Sequence, residues 1–152
     1  MRILSVEVEQ YKGVAGPLTL TFAAGLNVIY GPNEIGKSTL LAAIWDALTL
    51  TARGETARHR AIKPHGDGRP RVKVVFVRGG VTYTVEKLFA GAAASKSALR
   101  VSSPKDGVVE LAGTEAEERL RGGCVWRRGR PRAACADPPR LGAAPRPQHP
   151  PR

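Results

Sequence analysis

Apolar and polar positions alternate along the first ten residues, with Leu4, Val6 and Val8 on one side and Ile3, Ser5, Glu7 and Glu9 on the other. A period of two predicts a strand over residues 2–10 with one buried face. Tyr11-Lys12-Gly13 and Gly16-Pro17 mark a turn, and Leu18-Thr19-Leu20-Thr21-Phe22 alternates again. The first two strands are therefore expected to form an antiparallel meander. Leu26-Asn27-Val28-Ile29-Tyr30 is short, apolar and β-branched, and reads as a third, buried strand. The period then changes: Leu40, Leu41, Ala43, Ile44, Ala47 and Leu48 recur at helical spacing and predict a helix over residues 37–49.

Residues 51–60 are polar and Arg-rich and predict a loop or frayed helical turn, its charge read as a solvated surface rather than a phosphate contact. A hairpin follows, Arg71-Val72-Lys73-Val74-Val75-Phe76-Val77 returning as residues 81–89 around Arg78-Gly79-Gly80. Residues 97–103 and 107–112 make a weaker strand pair around Pro104-Lys105-Asp106-Gly107. Thr114 is placed to cap a short helix ending near Leu120, with Glu117 at the capping-box position. Strands, one long helix, then more strands give an α/β reading for residues 1–120.

Periodicity stops at Arg121. Residues 122–152 hold seven Pro and irregularly spaced Arg, and no window offers a helix face or a strand alternation. Such a stretch buries too little apolar surface to offset its ordering entropy, so residues 121–152 are expected to be a disordered tail. It reads either as a basic arm for nucleic-acid phosphates or as a GC-rich gene translated in a shifted frame.

Charge follows the same boundary. The whole chain of 152 residues carries a net +11, but residues 121–152 alone hold eight Arg against one Asp, leaving only +4 on the rest. A basic total is thus no argument that the folded part binds nucleic acid. No run of about 18 apolar residues is present, which predicts no membrane partner. The early Glu7 and Glu9 argue against a signal peptide. Cys124 and Cys135 have no metal-ligand neighbours and suggest no disulfide framework, so a cytoplasmic setting is expected. His59 and His65 lack acidic or Cys partners at metal-binding spacing and receive no role.

Between the third strand and the helix lies Gly31-Pro32-Asn33-Glu34-Ile35-Gly36-Lys37-Ser38-Thr39, which fills every position of the phosphate-loop pattern G-x-x-x-x-G-K-[ST]. Gly31 and Gly36 let the backbone curl so that several N–H groups converge on one anion. The helix begins where that anion sits and adds its free N–H groups and positive dipole end. Lys37 is the candidate charge on the β- and γ-phosphates, and the Ser38 hydroxyl the candidate Mg²⁺ ligand. The competing reading is a tight turn that happens to contain these residues. The absence of an Asn-Lys-x-Asp motif disfavours a GTPase.

The opening Met-Arg-Ile-Leu-Ser-Val-Glu-Val-Glu-Gln-Tyr-Lys-Gly and the later Gly-Leu-Asn-Val-Ile-Tyr-Gly-Pro-Asn-Glu-Ile-Gly-Lys-Ser-Thr-Leu-Leu resemble the N-terminal lobe of SMC-like ATPases. That group includes SbcC-type DNA double-strand-break repair proteins and YhaN-like bacterial ATPases. The resemblance covers residues 1–120 and is strongest over 1–48. It implies a partial P-loop NTPase fold, the N-terminal lobe of an ABC-type head with antiparallel strands and a central P-loop helix. It further implies ATP and Mg²⁺ as cofactors, and DNA, a C-terminal ATPase lobe and a nuclease subunit as partners. Asn33, Glu34, Gly36, Lys37, Ser38 and Thr39 then fall at nucleotide contacts, with Lys12 where the family commonly has a basic residue near the nucleotide.

Departures from the pattern matter equally. Val108-Val109-Glu110 is too short for the apolar run and acidic pair that position the attacking water. Leu120-Arg121-Gly122-Gly123 lacks the signature serine, and no heptads occur. The chain therefore reads as a fragment supplying the phosphate cradle but no catalytic acid. One reading from another class stands beside it, a nucleic-acid-binding module using the basic tail, while a truncated remnant without function is a variant of the first.

Overall fold

The computed structural model describes residues 1–14, 16–32, 36–63, 68–91 and 93–124. The expected boundary at residue 120 is followed by a short π-helical turn, Leu120–Cys124, and the remainder of the expected tail lies outside the described residues. Six strands, β1 (Arg2–Glu9), β2 (Leu18–Thr21), β3 (Arg71–Arg78), β4 (Val81–Leu88), β5 (Lys96–Ser103) and β6 (Gly107–Ala112), form one sheet in the order β2-β1-β3-β4-β5-β6. Every pairing is antiparallel. Helices α1 (Lys37–Thr49), α2 (Ala57–Ile62) and α3 (Gly113–Arg119) complete the described elements.

Register explains why the sheet has one dry face. Leu20, Val6, Val74, Val85, Leu99 and Leu111 stand directly opposite one another from strand to strand, an apolar row across all six strands. The next row runs Leu18, Val8, Val72, Lys87, Ser97. On the opposite face Glu7 pairs with Lys73 at 2.9 Å and Arg71 with Glu86 at 2.8 Å. This is the alternation of an antiparallel sheet with one solvated side. The pairing of Phe76 with Tyr83 brings their rings to 5.0 Å in a stack, with Phe76 fully buried. In the hairpin between β3 and β4, Gly79 and Gly80 both take positive φ, 58° and 78°, the two-residue turn that matches the strands' twist.

Helix α1 covers the dry face over β1, β3 and β4. Its buried residues are Leu40, Ala43, Ile44, Asp46, Ala47 and Leu48. Leu41, expected on the apolar stripe, instead faces outward at 64% exposure, because the helix turns its Asp46 inward.

Two further expectations are corrected. Residues 26–30 form no strand: Leu26 and Tyr30 are each 90% exposed and Val28 71%. β-branched composition suits a strand only if a neighbour supplies ladder partners, and among the described residues none pairs with this segment. The Asn27 side chain bonds locally instead, accepting from Ala23 N at 2.9 Å and donating to the Ala23 and Gly25 carbonyls. Nor does Thr114 cap α3, which already begins at Gly113 after Ala112. Glu117 leaves the capping-box role to accept a hydrogen bond from Ala52 N at 2.6 Å, tying α3 to the chain that leaves α1.

The polar stretch after α1 does contain a helical turn. Thr56 caps α2 by accepting from His59 N, and the buried His59 ring bonds Thr56 Oγ1 and the Thr51 carbonyl oxygen. His59 is thus a structural peg under α2.

Lys87 reaches from β4 to the C-terminal end of α1, where its buried ammonium donates to the Leu50 carbonyl oxygen. A cation there complements the helix dipole. Burial nevertheless pushes its pKa down from the usual 10.5 to about 8. The unfolded chain therefore binds more protons above pH 8, and stability rises with pH from about 8 towards 10.5. Above pH 10 the Tyr11 phenol, whose pKa is raised in the fold, works in the opposite direction.

Two outcomes follow. Phe76→Ala, which empties a fully buried site, lowers the unfolding free energy in urea by about 3–5 kcal/mol. Urea titrations of the wild type gain up to about 2 kcal/mol between pH 8 and pH 10, and Lys87→Met removes that rise.

Candidate functional site

The start of α1 is shaped by backbone rather than by side chains. Gly36 precedes the helix with φ 92° and ψ 16°, a left-handed conformation that an L side chain rarely adopts. No side chain caps this end, and the first turn carries no acidic residue. The first N–H groups of a helix have no intrahelical partner, and with the positive end of the dipole they favour an anionic acceptor at this end. Lys37 folds back across the loop, its Nζ donating to the carbonyl oxygens of Gly31 at 2.7 Å and Pro32 at 2.6 Å. Ser38 is exposed and Thr39 half-buried in the same turn. Asn33 and Glu34 lie outside the described residues.

The turn after β1 comes to the same place. Val14 N donates to the Tyr11 carbonyl oxygen at 3.0 Å, closing the turn. The Val14 Cγ2 methyl lies 3.6 Å from where a Cβ on Gly36 would stand. Lys12, at the tip, therefore sits on a turn packed against the phosphate loop. Its backbone is left-handed, φ 52°, and its Nζ lies 5.7 Å from the Tyr11 ring centroid. Of the residues expected to meet a nucleotide, Gly31, Gly36, Lys37, Ser38 and Thr39 are contiguous in space, and Lys12 is brought to their edge by tertiary packing.

Sequence reasoning missed what anchors this turn. The Tyr11 side chain is fully buried and its hydroxyl donates to Asp46 Oδ2. Asp46, 1% exposed on α1, also accepts from Arg58 Nε at 2.9 Å and lies 2.9 Å from Arg58 NH2. Burial first, and the Asp46 bond second, push the Tyr11 phenol pKa upward. The Asp46 bond holds the Arg58 guanidinium firmly charged. One signal was available: position 46 lies three residues after Ala43 on the inward face of α1, and a buried carboxylate requires partners.

The arrangement suits a polyanion bearing a divalent cation. A left-handed glycine, an uncapped helix start without carboxylates and a lysine folded back over the loop match a phosphate chain. Mg²⁺ needs few protein ligands when phosphates supply the rest, so a single exposed hydroxyl such as that of Ser38 fits it. Among the described residues no cluster of three or more His, Cys, Asp or Glu could hold a metal ion. Nor is any helix there long and apolar enough to cross a membrane.

The AAA domain family profile matches residues 5–116. The DNA replication and repair protein RecF of Deinococcus deserti is 30% identical over 126 residues, covering 83% of this chain. The chain spans 31% of that relative's length. An SMC head domain from Thermotoga maritima superposes with a TM-score of 0.42 at 20% identity, over 80% of this chain and 40% of that one. With the profile spanning the sheet, the helix α1 and the turn beside it, the chain belongs to the AAA domain family.

Proposed function

We propose that this chain is the ATP-binding N-terminal segment of an SMC-like ATPase that acts in DNA double-strand-break repair. The observation that carries this reading is the start of α1, where Gly36 is left-handed and the Lys37 ammonium bridges the Gly31 and Pro32 carbonyls. An ammonium held there by two neutral acceptors is free to exchange them for charged phosphate oxygens, which bind it more strongly. Lys37 takes the β- and γ-phosphates, the loop from Gly31 through Asn33 and Glu34 to Gly36 encloses them, and Ser38 ligates Mg²⁺ while Thr39 lines the same turn. Mg²⁺ supplies charge neutralisation along the phosphate chain when bound. Lys12 adds a second cation from the side.

DNA is the larger partner in this proposal, in keeping with the words replication and repair in the name of the RecF relative. The C-terminal lobe of the ATPase head is the second partner. Leu26, Val28 and Tyr30 lie open beside the phosphate loop, an apolar, β-branched segment suited to pairing with a strand supplied by that lobe. Hydrolysis belongs to the complete head, since this chain holds the cradle and the water-positioning acid comes from elsewhere. A nuclease subunit and a cytoplasmic setting complete the reading.

Lys37→Ala is expected to weaken binding of a fluorescent ATP analogue by about 10- to 100-fold, the value of one charge-assisted contact. Undetectable binding in the wild type, or equal affinity in both proteins, overturns the proposal. Amides of residues 26–30 exchange with solvent deuterium at nearly unprotected rates in this chain alone. They become protected when a C-terminal lobe is added.

A further inference from the structure

Two consecutive corners in the chain after β1 need an explanation. Gln10 and Lys12 both hold left-handed backbones, φ 49° and 52°, and neither is glycine. Such conformations cost free energy and persist only where surrounding structure over-determines them. Three anchors do so here. Gln10 Oε1 accepts from Arg69 N at 2.8 Å, Lys12 N donates to the Ile62 carbonyl oxygen at 2.9 Å, and between them the Tyr11 phenol enters the core to reach Asp46. Only the last of these joins the turn to the helix that begins at the phosphate loop. Asp46 is itself held by Arg58 from α2, whose side chain is 46% exposed.

We infer that Asp46 is a positioning residue for the nucleotide site: through the Tyr11 hydroxyl it holds the strained Lys12 corner against the phosphate loop, and Arg58 fixes the carboxylate that does so. This inference rests on the nucleotide-binding reading and adds to it the parts that aim Lys12. The network is indirect by construction. Asp46 lies nine residues beyond Lys37 on α1, about two and a half turns away, so it acts on the phosphate end only through the turn. A carboxylate on the buried face of a helix that otherwise packs Leu40, Ala43, Ile44, Ala47 and Leu48 is costly unless it is fully paired. Both of its oxygens are engaged by the Tyr11 and Arg58 partners.

The test is a double-mutant cycle on the full chain, read with MANT-ADP and Mg²⁺. Tyr11→Phe keeps the buried ring and deletes only the hydroxyl. It is expected to weaken MANT-ADP binding about three- to ten-fold in the wild-type background, and to have almost no further effect when Lys12 is already Ala. A purely structural Tyr11 gives the same loss in both backgrounds, and that result overturns the inference. Equal affinity of Tyr11→Phe and wild type also overturns it. Arg58→Gln, at a half-exposed position, repeats the cycle should Tyr11→Phe not fold, and its loss must likewise vanish in the Lys12→Ala background. Lys37→Ala separates the two levels. If it leaves MANT-ADP affinity unchanged, the nucleotide reading itself fails. If it abolishes binding while the cycle is additive, only the positioning role is lost.

Discussion

A sheet with one apolar face must keep that face dry, and here α1, a helix of 13 residues, covers it over β1, β3 and β4, with α3 over β5 and β6. Because the row from Leu20 to Leu111 runs across every strand, α1 has few ways to lie without uncovering part of it. Fixing the helix by its packed residues also fixes where it starts. Gly36, at the head of that helix, inherits its position from this hydrophobic contact, and Lys37 ties Gly31 and Pro32 to it. Burial along α1 thus holds Gly36 and the first helical turn in place whether or not a ligand is bound.

The strand pattern was legible because register obeys a period of two and one face is buried. Val6 and Val8, Val72 and Val74, and Tyr83 and Val85 occupy the sides that alternation assigns them. The Gly79-Gly80 turn was equally readable, since few residue pairs tolerate two positive φ angles. Residues 26–30 were misread because strand composition reports fitness for a ladder but not the presence of one. Thr114 was misread for a related reason: Glu117 has a better use, 65 residues back in sequence at Ala52, which no local pattern discloses. Of the candidate site, the glycine turn at Gly36 and the helix that follows it could be read from residue types alone. The Tyr11, Asp46 and Arg58 assembly could not, because its members are separated by 35 and 12 positions and meet only after the sheet and helices have packed.

Within the AAA domain family match, the elements sort into two kinds. The sheet and α1 form a frame held by apolar burial. The corner at Gln10 to Val14, α2 and the Lys87 contact form polar attachments between that frame and the connecting segments. Polar attachments in a low-dielectric interior are specific about distance and direction. Apolar burial places α1 on the sheet, and the polar contacts determine how the connections leave it.

The openness of residues 26–30 has a consequence for protein quality control. A segment with Leu26 and Tyr30 each 90% exposed is the kind of surface that chaperones grip and that self-associates as concentration rises. Covering those side chains removes that surface, and leaving them open presents it continuously.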